Sequence, residues 1–361
     1  MRLARLSGVC RTVPRRWMSV APTFFNTKWN PDGKIEAHGG KIIESMTGKP
    51  EDVNRCGASV ELNARQLCDV ELLQFGGFSP LTGFMNPDEY NSVVDKHRLP
   101  NGLLFGLPVV FDIPSSRDDI KPGTKVALTW KGEPVAFLDV ESRWVPDKPK
   151  ETKLCYGTSE LEHPGVRTVA MERGHTYIGG KVQGLKQVKR EFPCETPNQL
   201  RARLPSKTDV VAFQCRNPIH RAHYELFIRA LDAPNVDPKN RVVLVHPTVG
   251  PTQEDDIPGN VRYLTYEVLK KELNNPSVLW AYLPYSMHMA GPREALQHMM
   301  LRKNYGCTHF IIGRDMAGSK SSLSGKDYYL PYAAQETATQ HAEEMGIKTV
   351  PSLDLVYTQE K

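Results

Sequence analysis

Apolar and polar positions along this chain follow two patterns, and the change falls near residue 190. Between about residues 25 and 190 the apolar runs are short and mostly strand-like. The clearest pair is Lys125-Val126-Ala127-Leu128-Thr129-Trp130 and Val135-Ala136-Phe137-Leu138-Asp139-Val140. Lys131-Gly132-Glu133-Pro134 between them has turn chemistry and predicts a hairpin. Glu191-Phe192-Pro193-Cys194-Glu195-Thr196-Pro197 carries two prolines after a basic patch and reads as a domain boundary. Beyond it, strands are predicted at about 209–214, 242–246, 277–284, 308–313 and 347–357. Helices alternate with them at about 219–231, 260–274, 291–304 and 330–346. That alternation predicts an α/β class: a Rossmann-like domain with a parallel sheet and crossover helices, preceded by a β-rich domain. Such sheets bind ligands at the carboxyl ends of their strands, near a switch point in strand order.

One strand-to-helix junction concentrates polar chemistry: Gln214-Cys215-Arg216-Asn217-Pro218-Ile219-His220-Arg221-Ala222-His223. It follows the apolar run Asp209-Val210-Val211-Ala212-Phe213. It leads into helical spacing at Ile219, Ala222, Leu226, Phe227 and Ala230. Pro218 suits a first helical turn, and the free N–H groups of a helix N-terminus form a ready anion site. His220 and His223 are three apart and share one face, while Arg216 adds a planar fork of donors suited to an oxyanion. Taken alone, a His-x-x-His pair is more often two imidazoles on an ordinary helix face. A metal pair is the next alternative, but the stretch holds no carboxylate to complete it.

The stretch resembles the Gln-x-Arg-Asn-Pro-x-His-x-x-His signature of ATP sulfurylases (sulfate adenylyltransferases). Three further stretches after predicted strands resemble blocks of that family, in family order. They are His246-Pro247-Thr248-Val249-Gly250-Pro251-Thr252 with Asp255-Asp256-Ile257-Pro258, Met287-His288-Met289-Ala290-Gly291-Pro292-Arg293-Glu294-Ala295, and Gly313-Arg314-Asp315-Met316-Ala317-Gly318. Gly76-Gly77-Phe78-Ser79-Pro80-Leu81-Thr82-Gly83-Phe84-Met85 is similar to a loop of the family's N-terminal domain, a barrel-like fold similar to the PUA domain. The resemblance spans about residues 25–361. It implies a PUA-like domain over 25–190 and a nucleotidyltransferase domain over 191–361, behind an organellar transit peptide over 1–22. Gly313 to Ser321 is also one residue from a Walker A loop, but Ser319 displaces Lys320 from the position after the second glycine, so a P-loop is not expected.

The implied enzyme is a sulfate adenylyltransferase: sulfate attacks the α-phosphorus of ATP, giving adenosine 5′-phosphosulfate and pyrophosphate as the first step of sulfate activation. Sulfate is already ionised near neutral pH and needs no general base. The task is to bring two anions together and stabilise the charge that builds between them. By resemblance, Gln214, Arg216 and the backbone of Ala317 contact sulfate. Gln214, Cys215, Arg216 and Asn217 line the nucleotide phosphates, and Cys215, Arg216, Asn217, His220 and His223 form the catalytic segment. Gly313, Arg314, Asp315 and Met316 hold adenine and ribose, and Leu355 makes a further nucleotide contact. Cys215 as a nucleophile is disfavoured, because the sequence places no base beside it. Mg²⁺ is expected as the counterion of ATP, held by phosphate and water with no protein ligand. A homodimer is implied as well. Met316 stands where many members have His, and His288 where several have Arg, which would make a cationic contact there pH-dependent. Gly313–Gly318 followed by Ser-Lys-Ser-Ser resembles the bacterial and algal branch. Family members continue with a small region beyond Lys361, which implies a shortened chain. Two other readings stay open: an adenylyltransferase of the same superfamily with another acceptor, and a non-catalytic relative that keeps the fold.

Charge removes a different class of partner. The formal net charge is +5, and Arg2, Arg5, Arg11, Arg15 and Arg16 in the acid-free leader account for all of it. The remaining body is near neutral and has no global pull on nucleic acid. The Arg-rich leader, with Ser7, Thr12 and Ser19 and no long apolar segment, suits a mitochondrial address, with a plastid address as the alternative. Seven cysteines without a Cys-x-x-Cys argue against a zinc site or disulfide framework and for a reducing compartment. With 40% hydrophobic residues and no run of about eighteen apolar residues, no membrane helix is expected.

Overall fold

The computed structural model describes residues 20–352. The proposed leader therefore lies outside the described residues over 1–19, and so does Leu355. The N-terminal half runs β1 (Ala58–Glu61), α1 (Ala64–Gln74), β2 (Gly83–Phe84), α2 (Pro87–Lys96), β3 (Phe111–Ile113), β4 (Lys125–Trp130), β5 (Glu133–Trp144), α3 (Lys148–Tyr156), α4 (Pro164–Arg167) and β6 (Thr176–Gly184). Its six strands form a mixed sheet in the order β1-β4-β5-β6-β2, with β3 also on β6. The β4–β5 hairpin forms, with a tighter turn than its composition suggests. Lys131 and Gly132, both at positive φ, make the bend, and Glu133 and Pro134 already pair with β4.

This half is less purely β than its apolar pattern predicts. Helices α1 and α2 start at capping boxes, Asn63 with Gln66 and Asn86 with Glu89, and Pro87 occupies the first turn of α2.

The second half runs α5 (Pro197–Arg203), β7 (Asp209–Phe213), α6 (Arg221–Ala230), β8 (Arg241–Val245), α7 (Gly259–Leu273), β9 (Val278–Trp280), α8 (Pro292–Asn304), β10 (His309–Ile312), α9 (Ala333–Met345) and β11 (Lys348–Pro351). The five strands are all parallel, in the order β11-β10-β7-β8-β9. Strand β7 shows why it is a continuous apolar run. Val210 and Ala212 face the core shared with α8 and α9, while Val211 and Phe213 face the core that holds Phe227 of α6 and Tyr266 of α7. A strand buried on both faces has no polar side to alternate. Chain order reverses between β7 and β10, so a crevice opens at their carboxyl ends. The long run predicted at 277–284 is a strand only over Val278–Trp280; beyond it Leu283 makes an isolated bridge to Thr248.

Helix α8 joins the two halves. It is almost wholly buried, and its core includes residues of both sheets. Arg293 donates to the carbonyls of Gly106, Val93 and Val94, closing the end of α2. A side chain at Gly106 would meet the Arg293 carbonyl at 2.3 Å, so only glycine allows this approach. Fully buried Asn304 accepts from His38 N at 2.9 Å and donates to the carbonyls of Gly77 (2.9 Å) and Ser79 (3.0 Å). The Gly76–Met85 loop is thereby pinned to the second half.

Asn304→Ala leaves three buried backbone groups unpaired and is expected to destabilise the protein by about 3 kcal/mol. Thermal and denaturant unfolding check this; a loss below about 1 kcal/mol would contradict the joining role. Burial also holds His38 and His163 neutral, pushing each down to about 4. The unfolded chain takes up those protons first. Their contribution is therefore complete above about pH 6.5 and is lost as pH falls toward 4, by about 3 kcal/mol for a shift of that size. Buried Asp69, raised to about 6, works with the opposite sign. The histidine share is thus read by difference: His163→Asn keeps the cap that accepts from Gly165 and Val166 and should flatten the fall in melting temperature between about pH 6.5 and 4.5.

Candidate functional site

The turn after β7 is held from behind by its carbonyl groups. Cys215 O accepts from Thr248 N (3.0 Å), Arg216 O from Arg262 Nη1 (2.7 Å) and Asn217 O from the Tyr266 hydroxyl (2.9 Å). Three successive carbonyls are anchored to the loop after β8 and to α7. Pro218 lies ahead of the helix rather than in its first turn. It biases Asn217 toward extended backbone, and α6 begins at Arg221 with His220 as its N-cap. His220 makes no side-chain cap bond, and the first intrahelical bond is Tyr224 N to His220 O at 3.1 Å. The N–H groups ahead of Tyr224 have no helical carbonyl to reach, and the positive end of the dipole lies there.

The side chains of the turn divide by environment. The imidazoles of His220 and His223 stack with centroids 3.9 Å apart and planes at 23°. His220 is exposed, whereas His223 is half-buried, and its Nδ1 has no partner. Burial and the neighbouring His220 lower the pKa of His223, which favours its neutral form. The Arg216 guanidinium pairs through Nη1 with Asp256, whose Oδ2 is buried without a partner. Arg216 therefore already carries a carboxylate that any incoming anion must contend with. Gln214 Oε1 accepts from Arg302 Nη2, and its Nε2 lies 3.0 Å from Thr248 Oγ1 and 3.8 Å from Met287 Sδ. The Cys215 side chain points away from the turn, in keeping with a thiol that is no nucleophile. The thiol is buried with Sγ 3.7 Å from the Tyr266 hydroxyl, and burial pushes it up to about 12, so only its backbone faces the turn.

The first three polar stretches converge. Gln214, Thr248 and Met287 meet at those distances, and Met287 N donates to Pro251 O at 2.9 Å. The fourth joins them through Gly291 N to Ala317 O, also at 2.9 Å. Ala317 is held at φ 51° in the turn that follows β10. A cleft there is lined by Gly291, Pro292, Arg314, Asp315, Met316 and Tyr329. Arg314 pairs with its neighbour Asp315, and Met316 packs against the core. Lys320 pairs with Asp327, and the next helix starts only at Ala333, so this loop does not open onto a helix as a phosphate-binding P-loop does. His288 is not the pH-responsive cation expected. Burial drives its pKa down to about 3, and its Nδ1 lies 3.3 Å from the Tyr156 hydroxyl. Among the described residues, no group of three His, Cys, Asp or Glu could hold a metal, and no helix is long and apolar enough to cross a membrane.

Thr248, Asp256, Arg262, Glu294, His298 and Arg302 acquire roles that their sequence stretches do not announce. Arg262 and Arg302 are 1% and 0% exposed, although they sit in helices with charged neighbours. The available signal is spacing: Glu294, His298 and Arg302 recur every four residues on a helix otherwise rich in Ala, Leu and Met.

Residues 193–361 match the ATP-sulfurylase family model, and residues 35–187 match a PUA-like domain model. The sulfate adenylyltransferase of Schizosaccharomyces pombe is 42% identical over 307 residues, covering 82% of this chain and 62% of that protein. Those of Kluyveromyces lactis and Saccharomyces cerevisiae are each 40% identical, over 83% and 82% of this chain and 60% and 58% of their own lengths. The chain thus spans about three fifths of these curated relatives. A solved structure described as a hexameric APS kinase from Thiobacillus denitrificans superposes with a TM-score of 0.65 over 88% of this chain and 56% of its own. At 22% identity it speaks for the fold alone.

The Arg216–Asp256 pair gives a direct test of the anion site. Asp256→Asn keeps the shape and removes the competing charge. Oxyanion binding, measured by equilibrium dialysis with labelled sulfate, is expected to tighten about threefold to tenfold. Unchanged or weaker binding would show that the carboxylate is not a competitor.

Proposed function

From a chain built as a PUA-like domain followed by an ATP-sulfurylase domain, we propose that it is a sulfate adenylyltransferase. It takes ATP and sulfate to adenosine 5′-phosphosulfate and pyrophosphate, in sulfate assimilation. The observation that carries this reading is the Gln214–His223 turn. It sits at the switch point of a parallel sheet, its carbonyls tied inward and its helix N-terminus open. A sulfate oxygen attacks the α-phosphorus, the new P–O bond forms, and the bond to the β-phosphate oxygen breaks. No proton needs to move. Gln214 and Arg216, with the Ala317 backbone, hold sulfate. Asn217 and the Cys215 and Arg216 backbone follow the phosphates. His220 and His223 stabilise charge on the α- and β-phosphoryl oxygens as the leaving group departs. Gly313, Arg314, Asp315 and Met316 hold adenine and ribose, and Leu355 adds a contact. Mg²⁺ enters as part of MgATP and offsets phosphate charge.

The same reading extends to placement and assembly. The Arg-rich leader sends the chain to the mitochondrion, with a plastid as the alternative. Two copies associate as a homodimer, and Gly313–Gly318 followed by Ser-Lys-Ser-Ser supports a bacterial- and algal-type branch. A domain limit near 190 follows from the change in pattern.

Pyrophosphate release from MgATP should depend on sulfate, or on molybdate as its mimic. Release that ignores both, or depends on another acceptor, would favour a different adenylyltransferase. Arg216→Lys keeps the charge and loses the fork, so kcat/KM for sulfate should fall about 100-fold or more. His220→Ala should lower kcat with little change in either KM; full turnover in that variant would place the chemistry elsewhere.

A further inference from the structure

Helix α8 carries a buried polar column that the reaction itself does not call for. Glu294, His298 and Arg302 lie one turn apart on one face, and each is fully buried. At its N-terminal end, Glu294 accepts from His288 N at 2.9 Å and Ala290 N at 3.0 Å. This fixes the loop through Met289, which is held at φ 59°. At the other end, Arg302 Nη1 lies 2.8 Å from His298 Nδ1, while Nη2 donates to Gln214 Oε1 and, at 2.9 Å, to His246 O.

Hydrogen-bond bookkeeping then sets every orientation. Arginine can only donate, so His298 Nδ1 must accept and its proton sits on Nε2, 3.8 Å from Glu294 Oε1. Gln214 must turn its oxygen to Arg302, which aims its NH₂ toward Thr248 and Met287, where the polar stretches meet. Arg302 also has no countercharge: among the described residues, no carboxylate is recorded in ion-pair contact with it. Its remaining partners are neutral, and its Nε has none. A buried cation left this way is costly unless an anion completes it.

Building on the sulfate adenylyltransferase reading, we propose that Glu294, His298 and Arg302 form a positioning column. It presents the Gln214 amide as a donor to the oxyanion and places an uncompensated buried charge directly behind it. The column makes the subsite selective for a fully ionised oxyanion. None of the three residues touches substrate; each acts through Gln214 or through the 288–290 loop.

The test is a double-variant cycle on the full chain, with KM for sulfate and ATP determined separately and labelled-sulfate binding measured in parallel. Arg302→Met is expected to raise the sulfate KM about tenfold or more and to leave the ATP KM within about twofold. Added to Gln214→Ala, it should cost less than about twofold further, because its effect runs through that side chain. Multiplicative losses in the folded double variant, or equal rises in both KM values, would overturn the proposal. If Arg302→Met loses its cooperative melt, His298→Leu serves instead. It frees Arg302 Nη1 and should raise the sulfate KM several-fold; an unchanged value overturns the proposal. A wild-type chain that neither binds nor turns over sulfate would overturn the functional reading itself, whereas a wild type that does so while the cycle is additive overturns only the column.

Discussion

The constraint on which the site depends is the anchoring of three consecutive carbonyls, those of Cys215, Arg216 and Asn217. A turn proposed to receive a polyanion cannot leave carbonyl oxygens facing it, since each is a partial negative charge. Here Thr248 N, the Arg262 guanidinium and the Tyr266 hydroxyl take one each. Arg262 spreads over Arg216 O, Thr248 O (2.9 Å) and Gly250 O (3.2 Å), so one buried side chain binds two loops together. Burial lowers the pKa of the guanidinium, and nearby Asp256 offsets this only in part. Among the described residues no carboxylate is in ion-pair contact with Arg262, so its positive field acts mainly on the turn.

The N-terminal half contributes to that geometry from outside the site. Helix α8 backs the crevice, and it is held by the N-terminal sheet and loops through Asn304, Arg293 and the close approach at Gly106. Tyr156 and His163 reach across in the same manner, to His288 and to the Tyr329 hydroxyl at 3.0 Å. A crossover helix covered only by solvent could rotate or shift, moving anything mounted on its buried face. Burial between two sheets denies it that freedom. The first half thus acts as a brace for the second.

Much of this was legible in the sequence, and for identifiable reasons. Strands β7, β8 and β10 announce themselves because both faces are apolar. The polar stretches after them stand out against those runs. What was hidden falls into three kinds. The helices α1 and α2 had explicit capping boxes, but short apolar runs around them read as strands. The start of α6 was misplaced because Pro218 is equally suited to a first turn and to a pre-helical bend, and local sequence does not separate the two. The third kind is long-range: that Arg302 meets Gln214, 88 residues earlier, or that Asp256 meets Arg216, is decided only when parallel strands bring their ends together. Charged residues within helices look like solvated faces until the neighbours that bury them are known.

Charge is distributed so that attraction is local. The body is near neutral once residues 1–22 are set aside, so anions are not drawn from afar, and at physiological salt a distant charge would be screened within about 8 Å in any case. Inside the crevice the balance differs. Among the described residues Arg302 and Arg262 are buried without ion pairs, Arg216 is matched by Asp256, and the imidazoles of His246, His288 and His298 are kept neutral by desolvation. Neutral imidazoles avoid adding repulsion between buried cations before substrate binds. Carboxylate matching on the half-buried Arg216 fork weakens its pull on a passing anion. On the proposed function, a bound oxyanion must displace or share Asp256 and satisfy the unmatched charge behind Gln214. Selectivity on this view comes from the order of charge burial rather than from the number of cations present.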